Sequence, residues 1–205
     1  ISDIVFLGVD KTNLKAELRT LPQNIEASKV ISSFTIAIGR EQGDKAKEGD
    51  NKTPEGIYFT QEHLDGNYLL RSKGKEMVQN KYGPWAIPLD FPNPIDSSEG
   101  VTGSGIWLHG AGNNKRIADK FTTEGCVAFY NEDILKLVSW LRPYQAPIVI
   151  TNDLKQINRQ EDVKAVDQAN REWIKAWQNR DVDQYITAYS PNFMMGARNK
   201  SAYRN

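Results

Sequence analysis

A chain of 205 residues has room for one full domain with part of a second, and for a real hydrophobic core. Its 26 Lys+Arg balance 26 Asp+Glu, so no basic excess points to a nucleic acid or an anionic membrane as partner, and 39% hydrophobic with 25% charged residues excludes a disordered chain. One cysteine, Cys126, excludes an intrachain disulfide framework, and with only His63 and His109 as histidines it leaves few ligands for zinc, so neither a metal nor another cofactor is expected. No apolar run approaches the length of a membrane span, and the opening ISDIVFLGVD lacks the basic n-region of an export signal.

In chain order, two strand-like segments come first, Ile4 to Val9 and Val30 to Gly39. GREQGDKAKEGDNKTPEG, from Gly39 to Gly56, has no periodic apolar face and reads as a long surface loop, followed by a strand in GIYFT. His63, in the turn-rich QEHLDGN, reads as ordinary surface. YGPWAIPLDFPNPID holds four prolines and three aromatics, which excludes regular helix and predicts an ordered, aromatic-lined loop or edge. SGIWLHG and GCVAFY read as two strands separated by a polar loop, with His109 and Cys126 at their facing ends.

Asn131 is expected to cap a helix whose Ile134, Leu137, Val138 and Leu141 recur at three and four until Pro143 ends it, and APIVIT supplies a last strand. This predicts a mainly β domain over residues 1–151, a linker over 152–162 and a second unit over 163–205. In that second unit Val166, Ala169, Trp173 and Trp177 form a helical stripe, and Tyr185, Tyr189 and Phe193 follow at spacings of four.

A glycine-preceded cysteine with a histidine 17 residues upstream suits a thiol nucleophile: the imidazole takes the thiol proton and the thiolate attacks an acyl carbon. A lone cysteine in a strand is otherwise inert core. HGAGNNKRIADKFTTEGCVAFYNEDI resembles the signature of the L,D-transpeptidase (YkuD-like) catalytic domain, and GDKAKEGDNKTPEGIYF, YGPWAIPLDFPNPID and GSGIWLHG resemble its other segments, in order, over roughly residues 3–151. The family commonly has Ser-His-Gly-Cys at the nucleophile and an arginine two residues beyond it, where this chain has Thr123-Glu124-Gly125-Cys126 and Ala128. The Gly-Cys-Val-Ala version is similar to the branch of cell-shape-determining murein L,D-carboxypeptidases, which carries a C-terminal NTF2-like domain; REWIKAWQNRDVDQYITAYSPNF resembles the opening of such a domain.

The resemblance implies an L,D-transpeptidase-like β-sandwich followed by the beginning of an α+β NTF2-like domain. It also implies a cysteine acyl-enzyme acting on peptidoglycan stem peptides in the periplasm, with a signal peptide outside this chain, no membrane insertion and protein partners unspecified. Cys126 is the nucleophile, His109 the base, and Gly110 the carbonyl that orients His109 through Nδ1. Gly125 and Val127 border the oxyanion hole. Trp107 walls the groove or packs in the core, Tyr82 and Trp85 line the cleft or pack the proline-rich loop, and Arg116 or Lys115 holds a peptide carboxylate or is a solvated charge. Glu124 either raises the thiol pKa or points away. The expected reaction is L,D-carboxypeptidase cleavage of the meso-diaminopimelate–D-alanine bond; the alternatives are an L,D-transpeptidase forming 3-3 cross-links and a non-catalytic wall-binding scaffold.

Overall fold

The first strand, β1 (Val5–Asp10), sends Val5, Leu7 and Val9 inward, and its hairpin partner β2 (Lys15–Thr20) buries Ala16 and Leu18 between Lys15, Glu17 and Arg19. The Asp10 carboxylate closes this hairpin by accepting the Asn13 N–H at 2.8 Å. The computed structural model describes residues 5–20, 28–157, 160–191, 193–196 and 198–204, and the chain divides into two units, Ile1–Ile157 and Asn158–Asn205.

The ten-residue strand β3 (Val30–Gly39) is the corner of the first unit. Its early residues pair with β2, Ile36 and Ala37 pair with β9 (Val127–Phe129), and Ile38 and Gly39 pair with β8 (Phe121–Thr123). One sheet results, ordered β4 (Gly56–Phe59), β10 (Pro147–Thr151), β1, β2, β3, β9, β7 (Trp107–His109), β6 (Trp85–Pro88) and β5 (Leu64–Asp65). A Thr60–Leu89 bridge and the Asp90 N–H bonded to the Phe59 carbonyl draw the β4 side toward the β6 side. The two halves therefore face each other across one core, Leu7, Leu18, Tyr58 and Ile148 meeting Ile87, Leu108, Val127 and Phe129. The sandwich-like layering expected of the sequence is present as two halves of a single curled sheet.

Helix α5 (Asn131–Val138) closes the core with Ile134 and Leu137 at the predicted spacing. Its N-cap is Tyr130, however; Asn131 is the first helical residue and its side chain leaves the helix for the loop after β7. Prolines exclude helix across most of Tyr82 to Asp96 as expected, yet Trp85–Pro88 forms the internal strand β6, with Pro84 just before it and Pro88 as its last residue. Pro94 opens a short helix, α3 (Pro94–Ser98), where its missing N–H costs nothing and an Asn93–Asp96 capping box satisfies the turn. Helices α1 (Gly66–Lys73) and α2 (Lys75–Met77) and a π-helical turn, Val78–Tyr82, fill the stretch between β5 and β6.

The segment between Gly39 and Gly56 lacks helix and strand, as expected, but it is anchored rather than loose. Burial acts to raise the Asp50 carboxyl, yet the Lys45 ammonium at 2.7 Å and the N–H groups of Lys47, Ala46 and Lys52 hold it well below the usual carboxylate range. The buried Lys11 ammonium donates to the carbonyls of Gly43 and Thr53 and to Glu55. His63 is likewise not ordinary surface: its Nε2 lies 2.6 Å from the Leu141 carbonyl and its ring meets Trp85 edge-on. Beyond β10, a 3-10 turn at Leu154–Ile157 stays with the first unit, its Leu154 N–H reaching Asp10.

In the second unit, α6 (Gln160–Gln178) packs on α7 (Val182–Thr187), followed by the hairpin β11 (Met194–Met195) and β12 (Arg198–Asn199) and by α8 (Lys200–Arg204). Trp173, Tyr185, Tyr189 and Phe193 stack in a column with ring centroids 5.5, 5.3 and 4.6 Å apart. Of the expected stripe, Trp173 joins this column while Val166 and Trp177 are exposed, and among the described residues of α6 it is Ala176 that is buried. Among the described residues no helix is long and apolar enough to cross a membrane.

Phe129, fully buried and edge-on to Phe34, sits where the corner strand meets the strand after the cysteine. Truncation to Ala should cost about 3–5 kcal/mol, read from urea unfolding at an unchanged m-value.

Candidate active site

Strands β7 and β9 run parallel, with Leu108 level with Val127 and His109 level with Ala128. Level residues of neighbouring strands point to the same face, so Leu108 and Val127 enter the main core while Trp107 and His109 share the opposite face with Cys126, one step before β9. The sheet register thus brings the two reactive residues together across a 17-residue separation.

Cys126 leaves a sharp turn clamped by Thr123, whose Oγ1 donates to the Cys126 carbonyl (2.7 Å) and accepts the Gly125 N–H (3.2 Å). Gly125 has φ 128°, and a Cβ there would lie 2.7 Å from the Lys52 carbonyl oxygen, so only glycine fits this turn. The thiol is 8% exposed and donates to the Gly105 carbonyl at 3.4 Å. Burial pushes its pKa up, with Glu124 adding to the rise; the Trp107 N–H and the charges of Lys81 and Arg116 oppose it.

His109 is fully buried, and its Nδ1 lies 2.5 Å from the Gly110 carbonyl oxygen. A carbonyl only accepts, so Nδ1 carries the proton and Nε2 presents a lone pair; Nε2 has no hydrogen-bond partner among the described residues. Burial lowers the imidazole pKa to about 4, aided by the positive charges of Arg116 and Lys81 and opposed by the Gly110 bond. At neutral pH the ring is therefore a neutral acceptor, the form a general base requires.

The Gly110 peptide is fixed from behind by Asn131, whose Oδ1 accepts the Ala111 N–H at 2.9 Å. A Cβ on Gly110 would lie 2.6 Å from that oxygen and one on Gly83 2.4 Å, so both glycines are required by the approach of Asn131. Gly112 is tighter still, since a Cβ there would sit 1.7 Å from the Gln79 carbonyl oxygen of the π-helical turn. That turn delivers Tyr82, whose ring lies 5.4 Å from His109, edge-on, and 5.1 Å from Trp107. Tyr82 and Trp107 form an aromatic wall beside the histidine, and burial raises the Tyr82 hydroxyl pKa.

The structure therefore brings Cys126, His109, Gly110, Gly125, Trp107 and Tyr82 together. Val127 is adjacent through its backbone, its side chain lying in the main core. Trp85 lies on the other face: Ala86 is level with His109, so Trp85 points with Ile87 into the main core. Arg116, in helix α4 (Lys115–Ala118), donates to the carbonyls of Asn80 (2.9 Å), Lys81 (3.1 Å) and Thr122 (3.1 Å), tying the π-helical turn to β8; Lys115 is exposed. Glu124 points to Lys81, with 2.7 Å between Oε2 and Nζ, and that bond lowers its pKa. Burial works to lower Lys81, but Glu124 and its surroundings raise it overall. Thr123, Asn131 and Lys81 are the site residues that sequence reasoning did not single out. Among the described residues, no group of three or more His, Cys, Asp or Glu is placed to hold a metal ion.

A model of the L,D-transpeptidase catalytic domain (YkuD) matches residues 11–150, and the chain belongs to that family. Its members are cysteine-dependent enzymes that act on the peptide stems of peptidoglycan. The structure of Bd1075 from Bdellovibrio bacteriovorus is similar at a TM-score of 0.78 and 28% identity, the match covering 98% of this chain and 68% of that one. The helical cell shape determining protein Pgp2 from Campylobacter jejuni has the same fold, with a TM-score of 0.74 and 22% identity over 98% of this chain and 67% of that one. None of the curated proteins matches the chain in sequence.

Asn131→Ala should lower kcat at least tenfold, because it frees the peptide whose carbonyl holds the His109 ring, and should lower stability by about 1–3 kcal/mol in urea unfolding through the unsatisfied Ala111 N–H, whereas Asn131→Asp, which keeps the acceptor, should retain most of both. Acid should act on the protein through His109. An unfolded imidazole takes its proton near the ordinary value of about 6.5, whereas the folded one resists until about 4, so stability falls as pH drops through that interval. Urea midpoints measured across it should fall less steeply for His109→Asn than for the parent protein.

Proposed function

We propose that this protein is a periplasmic murein L,D-carboxypeptidase that removes the terminal D-alanine from stem tetrapeptides. The observation that carries the reading is that Cys126 shares a strand face with a buried, neutral His109 whose Nδ1–H is held by Gly110, leaving Nε2 as the acceptor. The thiol turns from the Gly105 carbonyl toward Nε2, which takes its proton, and the sulfur attacks the meso-diaminopimelate carbonyl. As the tetrahedral intermediate collapses, the S–C bond remains, the C–N bond breaks, and His109 passes its proton to the departing D-alanine amine. Water then attacks the thioester while His109 takes its proton; the S–C bond breaks, His109 returns that proton to the sulfur, and the tripeptide is released with the thiol restored. Backbone N–H groups around Gly125, Cys126 and Val127 stabilise the oxyanion.

Hydrolysis is preferred over transfer because Ala128, buried against Ala37, Ala111 and Ile117, offers no charge two residues beyond the nucleophile with which to hold an acceptor stem. The family's action on the cell wall supports the periplasmic assignment. The long α6 and the aromatic column Trp173–Tyr185–Tyr189–Phe193 support reading residues 163–205 as the opening of an NTF2-like domain, and the fold shared with a cell-shape determinant supports a role in cell shape.

Incubation with purified sacculi and with disaccharide tetrapeptide should yield tripeptide and free D-alanine by mass spectrometry, without 3-3 cross-linked dimers. Cys126→Ala should abolish turnover with the fold intact by circular dichroism. Dominant 3-3 dimers would replace the carboxypeptidase with a transpeptidase, and undiminished turnover by Cys126→Ala would discard the thiol mechanism.

A further inference from the structure

Among the described residues, Arg40, Lys81 and Arg116 surround the turn that carries Cys126, and they are not equivalent. Arg116 is held by three backbone carbonyls, and Arg40 is more than half exposed and only 3.9 Å from Glu124. Lys81 is different. Its side chain is 23% exposed, its ammonium stands 5.5 Å from the centroid of the Tyr82 ring, and that ring is 5.4 Å from the His109 ring. Its charge acts on both Cys126 and His109. The carboxylate that Lys81 meets among the described residues, Glu124, is 56% exposed and lies two residues before the nucleophile. An ion pair with so exposed a partner contributes little net stability, so exchanging its carboxylate for another from solution is not opposed by the fold.

The carboxypeptidase reading, on which this inference rests, places a second carboxylate in the same space. In a tetrapeptide the C-terminal carboxylate follows the scissile carbonyl by a single residue, about 4–5 Å away. A lysine, a point charge on a flexible stem, can follow a carboxylate through attack and departure where a guanidinium locked on three carbonyls cannot. We propose that Lys81 is the specificity-determining receptor for the C-terminal carboxylate of the stem peptide, and that Glu124 is an internal carboxylate which holds Lys81 in place and gives way to the substrate. The site then selects chains that end one residue beyond the attacked carbonyl and disfavours those that are amidated or longer by a residue.

Binding separates this assignment from turnover. In Cys126→Ala, calorimetry with disaccharide tetrapeptide and with its C-terminal amide should show the acid bound at least tenfold more tightly. Lys81→Met in that background should bring the acid-to-amide ratio near one, Lys81→Arg should restore part of it, and Glu124→Gln should tighten the acid without affecting the amide. In the active protein, Lys81→Met should raise KM for the tetrapeptide far more than it lowers kcat. An acid-to-amide ratio unchanged by Lys81→Met would overturn the assignment whether or not the parent protein turns over. So would a loss confined to kcat and accompanied by a shifted pH profile of thiol alkylation, which would make Lys81 a modulator of Cys126. Failure of the parent to release D-alanine, with the Lys81-dependent ratio preserved, would remove the carboxypeptidase reading and leave the carboxylate receptor standing.

Discussion

Everything at the site depends on the parallel register of two three-residue strands. With His109 level with Ala128, the parity of β7 and β9 sends Leu108 and Val127 into the core and leaves the histidine and cysteine on one face. A slip of one residue would present Leu108 to the cysteine and bury His109 among Ile87 and Phe129. Such a slip is resisted because Leu108, Val127 and Phe129 are all fully buried. The apolar side chains thus hold the reactive ones in register, and the geometry of catalysis follows from hydrophobic packing on the reverse of the same strands.

Most polar groups around the pair are held through bonds to the backbone, the Lys81–Glu124 ion pair being an exception among the described residues. Gly110 orients His109, Thr123 clamps the cysteine turn, Asn131 pins the loop after β7, and Arg116 fastens the π-helical turn to β8. Burial raises the thiol pKa and lowers that of the imidazole, so both groups favour their uncharged forms and no thiolate–imidazolium ion pair is stored. Storing it would place two charges in a low-dielectric pocket at a cost the fold would have to offset elsewhere.

Much of this was legible in the sequence. The ordered motif segments singled out Cys126, His109 and Gly110, which the fold brings together, and the three-and-four spacing predicted α5. What escaped did so for definite physical reasons. In β2 the alternation of Ala16 and Leu18 was hidden by the density of charge at Lys15, Glu17 and Arg19. In β6 the prolines that forbid helix are tolerated at the ends of a strand. Trp85 and Trp107 look equally suited to line a cleft, and only the pairing of β6 with β7 puts them on opposite faces. Asn131 carries every mark of a helix cap, yet its oxygen serves a loop twenty positions earlier, a choice that depends on where Gly83 and Gly110 bring the backbone. Lys81 lies in a turn with no periodicity at all.

The corner strand has a kinetic consequence. Residues 30–39 find their partners in β8 and β9 some ninety positions later, while Leu7 at the start of the sheet pairs with Ile148 at its end. Contacts so distant along the chain must overcome the entropy of closing long loops, which makes such a fold slow to complete. The surroundings of Cys126 are therefore complete only when the whole sheet is: the pairing of β7 with β9 sets Cys126 and His109 on one face, and the distant β3 closes the other side of β9.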